Sequence, residues 1–147
     1  MGVWLGEPLD EVEALRAELL SGGTARLGNL PLGAAIDSLV LTSHWITPIG
    51  VPKRFDTRFY LRKTPADSAP TVDATEAVEL TWITPNDALQ RHRDGTMPMV
   101  FPTLRNLEAL IPFESIDSLL ESRRDADIRP IQPLLVSDGA KKKIVLP

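Results

Sequence analysis

The chain has 147 residues, 43% hydrophobic and 24% charged, which is the composition of a globular domain large enough to bury a core. Its net charge of −4 gives no general attraction to nucleic acid or to an anionic membrane, and no apolar run reaches the roughly 20 residues that a membrane span needs. The absence of cysteine excludes disulfides and thiolate metal sites, and with two histidines in all, a hard metal ion would depend on carboxylates.

The first 63 residues predict one helix, one loop and two strands. An apolar stripe between Pro8 and the Gly22-Gly23 pair predicts a helix over residues 8–20. The following Gly- and Pro-containing stretch is typical of a loop over residues 24–38. The two strands are predicted at 39–46 and 53–63.

The middle of the chain predicts a third strand and two helices. A polar linker over 64–75 leads to a strand at 77–83. Thr84 is a natural N-cap for the next helix, which Gly95 ends, and a leucine-spaced helix follows and stops at Pro112. We expect the three strands to form the centre of a mixed sheet and to bury four large side chains: Phe55, Phe59, Leu80 and Trp82.

The character of the chain changes at Phe113. A short helix beginning near Ile116 is predicted to end in the charged run that closes at Asp125. The remainder is predicted to be an extended tail with a turn at Asp138-Gly139 and a last strand at Ile144–Leu146.

The strand at 53–63 has two unlike faces. At period two, one face carries Phe55, Thr57, Phe59 and Leu61, and the other carries Arg54, Asp56, Arg58, Tyr60 and Arg62. Arginine matches phosphate through a planar fork, so the polar face can be an anion-reading surface or simply a solvated strand face. Trp45 is likewise open to two interpretations, a core residue or a platform for a nucleobase.

Several segments in fixed order resemble a known family. The order is HWITP at 44–48, PKRFDTRFYL at 52–61, spaced acidic residues Asp73, Glu76 and Glu79 before Trp82, and FPT at 101–103. This pattern resembles the C-terminal half of a Nudix hydrolase, in the branch that includes the peroxisomal coenzyme A diphosphatase and its bacterial relatives. The resemblance implies an α/β fold, an incomplete Nudix-type α/β/α sandwich with a mixed sheet. It divides the chain into a partial Nudix-like domain over 1–112 and a C-terminal helix and extended tail over 113–147.

The Nudix box itself, G-x5-E-x7-R-E-x-x-E-E-x-G followed by an aliphatic residue, does not occur in the sequence. Met1-Gly2-Val3 would fit its last three positions, and their distance from His44 is the one this family would show. We therefore expect a Nudix protein cut inside its catalytic helix.

The resemblance also implies chemistry. Family members use Mg²⁺ or Mn²⁺ to hydrolyse a nucleoside diphosphate linked to another moiety, here with coenzyme A or acyl-coenzyme A as a possible substrate. Without the box the metal ions should bind this chain poorly. Glu76 and Glu79 are the family-like acidic residues that remain as catalytic or metal-binding candidates, and their alternative role is that of surface carboxylates. The candidate substrate-binding residues are Arg54, Arg58, Trp45 and Thr47.

Three hypotheses follow: the C-terminal portion of a metal-dependent Nudix hydrolase, a non-catalytic ligand-binding or interaction module, or an unrelated α/β domain that binds an anion through Arg54 and Arg58. Whether the chain is itself an enzyme stays open. We expect a small-molecule diphosphate substrate, no nucleic-acid or membrane partner, and a chain that is marginally stable, oligomeric or prone to aggregate. With no signal-peptide pattern at its start, the chain is expected to be cytoplasmic.

Overall fold

The computed structural model describes residues 17, 21, 38–64, 66, 72, 79–139 and 141–147, with Asp138 and Lys141 described by their backbone alone. The predicted helix at 8–20, apart from Ala17, lies outside these residues, as do most of the loop at 24–38 and of the linker at 64–75. The chain divides into two units, one of residues 40–63 and 81–147 and the other of residues 1–39 and 64–80. All the helices and strands given below belong to the first unit.

This unit combines helices and strands, so the chain is an α/β protein. Its elements in chain order are β1 (Val40–Ile46), β2 (Asp56–Leu61), α1 (Pro85–Arg93), α2 (Phe101–Leu110), α3 (Ile116–Arg124), β3 (Pro130–Ile131), β4 (Leu134–Asp138) and β5 (Lys141–Val145).

The main sheet is mixed, with β1 in its centre. β2 pairs antiparallel with β1, and β3 pairs parallel with it on the other side, in the order β2-β1-β3. The register between β1 and β2 shifts between Leu41 and Ser43, which marks a bulge. β4 and β5 form a separate antiparallel hairpin, whose turn at Gly139 has a positive φ of 63°. The turn predicted at Asp138-Gly139 is therefore confirmed.

The helices form where local signals predict them. At the start of α1, the Thr84 side chain accepts a hydrogen bond from the Asp87 backbone N–H at 3.2 Å, and Pro85 occupies the first turn. Gly95 follows the helix with a φ of 76°. α3 begins in the same way, with Ser115 capping the N–H of Ser118 at 3.1 Å.

The core of the described region is small. Its buried hydrophobic residues are Trp45, Ala88, Leu89 and Leu119, and α1 packs against α2. The ring of Trp45 meets that of Phe101 edge to face, with centroids 5.9 Å apart, which ties β1 to α2.

Two expectations about the strands are wrong. Residues 79–84 form no strand. The described part of the third predicted strand, at 77–83, therefore has no hydrogen-bonded pairing with a neighbouring strand that would orient alternate side chains toward the core. Consequently Leu80 and Trp82 are exposed, Trp82 by 72%. Phe55 lies just before β2 and is also exposed, as are the first three residues of that strand; Phe59 alone of the four is half-buried.

Candidate functional site

The loop between β1 and β2 is held closed by one residue, Thr47. Its backbone N–H donates to the Phe55 carbonyl and its hydroxyl accepts from the Phe55 N–H, both at 2.9 Å. Its carbonyl accepts from Arg54 Nε and from Gln132 Nε2, each at 3.3 Å. Pro48 cannot continue the ladder, and Gly50 supplies a φ of 90°, so the chain turns here and returns as β2.

This closed loop fixes the position of a cationic side chain. Arg54 uses its Nε on the Thr47 carbonyl, and its two terminal nitrogens make no hydrogen bond to the described residues. Lys53 lies beside it, with Nζ 5.2 Å from the centre of the Phe55 ring. Both cations are exposed.

A second group of charged side chains begins where β2 begins. His44 Nε2 donates to Asp56 Oδ1 at 2.5 Å, and Arg58 Nη1 approaches the same oxygen at 3.5 Å. The His44 side chain is 10% exposed, whereas Asp56 and Arg58 are more than half exposed. An ionised carboxylate only accepts, so this contact places the imidazole proton on Nε2.

These residues share one face of the sheet because of the strand register. His44 is the cross-strand partner of Arg58, and Asp56 lies two residues away on the same side of β2. We give the name cationic surface to four exposed charged residues in β2 and just before it: Lys53, Arg54, Asp56 and Arg58. It carries three positive charges against one carboxylate, and the weak, exposed contact between Asp56 and Arg58 leaves the guanidinium free to bind another anion.

The structure does not bring all the predicted substrate-binding residues together. Trp45 is 6% exposed and pairs with Thr57, on the face opposite to His44 and Arg58. There its Nε1 donates to Ser43 Oγ at 3.1 Å, so Trp45 lies in the core and not beside the arginines. Thr47 uses its backbone groups and its hydroxyl to close the loop between β1 and β2.

Both acidic candidates belong to the other unit of the chain. Glu76 lies outside the described residues, and Glu79 is exposed in a segment without helix or strand that belongs to the other unit. Within the described ranges, no three His, Asp or Glu side chains come together as metal ligands.

One group of interacting residues was not predicted from the sequence. Ser43 Oγ donates to Asn106 Oδ1 at 2.6 Å across 63 residues, and Asn106 Nδ2 is buried without a hydrogen-bond partner. A length of 2.6 Å is usual for an O–H···O bond and short for N–H···O, which agrees with the oxygen facing Ser43. The signal in the sequence is an asparagine next to Leu107 on the leucine-spaced face of α2.

No protein-family model, curated protein or solved structure matches this chain. None of the helices in the described ranges has the length and apolar composition that crossing a membrane requires.

Proposed function

We propose that this chain is the C-terminal portion of a metal-dependent Nudix hydrolase that cleaves a nucleoside diphosphate linked to another moiety, with coenzyme A and acyl-coenzyme A as the candidate substrates. The ordered motifs of the sequence carry the family assignment. The structural observation that supports it is the closed loop at Thr47, which presents Arg54 at the edge of the cationic surface.

The role proposed for this portion is substrate recognition. Arg54 and Arg58 each offer a planar guanidinium to a diphosphate, and charge-assisted hydrogen bonds of this kind are stronger than neutral ones. Phe55 is exposed next to them and supplies an apolar surface at the same loop. The metal ligands would come from the Nudix box, so no metal-dependent step is assigned to the residues described here.

Binding by the chain itself is the first test. Coenzyme A is titrated into the protein by calorimetry, and R54A and R58A are each expected to weaken binding about 10- to 100-fold, because each removes charge-assisted hydrogen bonds. R124A is the matched control, since Arg124 is an exposed arginine on α3. Equal affinities for R54A, R58A and R124A would contradict the role of the cationic surface.

Activity is the second test. The chain of residues 1–147 should show no appreciable Mg²⁺- or Mn²⁺-dependent hydrolysis of coenzyme A, acyl-coenzyme A or nucleotide sugars. A protein extended at its N-terminus by a segment with the Nudix box should hydrolyse one of them, and E76Q and E79Q are then compared on that background. In-frame translation of the gene upstream of the Met1 codon would show whether such a box is encoded. Robust turnover by residues 1–147 alone would refute the assignment.

A non-catalytic ligand-binding module is the second candidate function. The observation that favours it is the exposed cationic surface, on which Arg54 and Arg58 can bind an anion without a metal ion. Coenzyme A binding that depends on Arg54, without turnover even in the extended protein, would select this candidate.

A further inference from the structure

The face of the sheet opposite to the cationic surface borders a cavity. It has a volume of about 460 Å³ and lies between β1, β2, α2 and α3. Its walls are mostly apolar and include Trp45, Phe59, Leu110 and Leu119. Small-molecule sites commonly have volumes of about 300–1,000 Å³ and combine apolar walls with a few polar groups, and this cavity has both properties.

Two polar side chains of the cavity wall carry buried nitrogens without hydrogen-bond partners. They are Asn106 Nδ2 and Arg123 Nε, and the structure shows no other such side-chain atom within the described ranges. Both nitrogens are hydrogen-bond donors, so each of them lacks an acceptor. Buried polar groups are nearly always paired, which makes two unpaired donors at one cavity an observation that needs an explanation.

The charges around the cavity have one sign. No aspartate or glutamate is among the described residues that line it, whereas two arginines are. Arg105 is already paired, with Nη1 2.7 Å from Glu108 Oε2 and its guanidinium over the Phe101 ring. Arg123 has no carboxylate partner among the described residues, so its positive charge is uncompensated there.

We propose that this cavity binds an amphipathic monocarboxylate, a molecule with one carboxylate and an apolar body. The carboxylate would accept hydrogen bonds from the Arg123 guanidinium and the Asn106 amide once these two side chains turn their buried nitrogens toward it, and the apolar body would lie against Trp45 and the leucines. A carboxylate fits better than an alcohol because it offers negative charge and several acceptor sites to a guanidinium fork. This site is separate from the cationic surface and does not rest on the proposed function.

The experiment compares decanoate with decanol, which has the same chain and no charge. Both are titrated into the intact protein by calorimetry, below the concentration at which decanoate self-associates, and the tryptophan fluorescence, to which Trp45 contributes, provides a second readout. We expect decanoate to bind at least about 10-fold more tightly than decanol, because the charged hydrogen bonds are lost in the alcohol. Equal binding of the two, or no binding of decanoate, would overturn the proposal.

Variants identify the residues responsible. R123Q is expected to weaken decanoate binding about 10- to 100-fold and to leave decanol binding unchanged. R105Q is the matched control, since Arg105 lines the same cavity but is paired with Glu108, and it should change the affinity less than about threefold. Should R123Q fail to fold, R123K retains the charge and is expected to bind decanoate more tightly than R123M. Equal losses in R123Q and R105Q, or equal affinities of R123K and R123M, would refute the assignment.

Discussion

Replacing the two partners of the Ser43–Asn106 hydrogen bond should have unequal effects on stability. S43A removes the donor to Asn106 Oδ1 and also the acceptor of Trp45 Nε1, which lies 3.1 Å from Ser43 Oγ. Trp45 Nε1 then has only Asn106 Oδ1 at 3.4 Å, a weak geometry. A buried group that loses its partner costs about 1–3 kcal/mol, so S43A should lower the free energy of unfolding by that amount.

N106L loses the same hydrogen bond but also removes the buried, unpaired Nδ2. The relief of that donor and the added apolar surface oppose the lost bond, because each is worth roughly 1 kcal/mol. The net change for N106L should therefore be small, within about 1 kcal/mol of the wild type.

Urea denaturation followed by circular dichroism measures both changes, and the double variant S43A/N106L completes the cycle. At about 3 °C per kcal/mol for a chain of this size, S43A should also melt several degrees below N106L. The coupling energy of the pair is expected to be about 1 kcal/mol. A larger loss for N106L than for S43A would refute the reasoning, since it would mean that Asn106 Nδ2 has a partner in solution.

Three further predictions concern the caps, the loop and the exposed apolar residues. T84A should destabilise the protein by about 1 kcal/mol in urea denaturation because it removes the side-chain cap on the Asp87 N–H; no change would contradict the role of Thr84 as cap. G50A should lower the free energy of unfolding by about 1–2 kcal/mol in the same assay, because a residue with a Cβ is strained at a φ of 90°. The nearest side-chain atom to the added Cβ is 3.9 Å away, so a clash adds nothing to this cost, and a neutral variant would contradict the reasoning. The exposed Ile49, Trp82 and Val100 should make the chain self-associate as its concentration rises in size-exclusion chromatography, whereas W82Q should reduce this; a monomer at all concentrations would contradict the expectation.

The parts of the fold that the sequence predicts are those with local causes. Helix α1 begins after Thr84 because a hydroxyl and a proline occupy the cap and the first turn, and these signals lie within four residues of one another. The hairpin of β4 and β5 turns at Gly139 for an equally local reason, a residue with positive φ. Such elements require no knowledge of the rest of the chain.

The errors occur where burial depends on distant partners. The alternation around Trp82 is typical of a half-buried strand, but residues 79–84 have no ladder and Trp82 is exposed. Phe55 fits the apolar period of β2, yet the strand starts one residue later because Thr47 binds both backbone groups of Phe55. The alternating pattern therefore predicted which side chains could lie on the same face of a strand. It did not predict which of them would be buried by a helix or another part of the chain.

The candidate site divides in the same way. The loop and strand that hold Thr47, Arg54 and Arg58 span only twelve residues, so their proximity could be predicted from the sequence. The cavity was not, since Ser43 and Asn106 are 63 residues apart and nothing in either segment specifies the other. A polar residue on an otherwise apolar helix face is the one signal that could have pointed to it.

The alternation of β1 makes the two proposed sites separable by experiment. His44 lies on the same face of the sheet as Arg58 of the cationic surface, whereas Ser43 and Trp45 lie on the opposite face and line the cavity. Sites that share no side chain should respond independently to substitution, with effects that add within about 0.5 kcal/mol. R58A should therefore leave decanoate binding unchanged, and R123Q should leave coenzyme A binding unchanged. If either variant weakened both ligands, the sites would not be independent, and titrating decanoate into the protein saturated with coenzyme A would show whether the two ligands exclude each other.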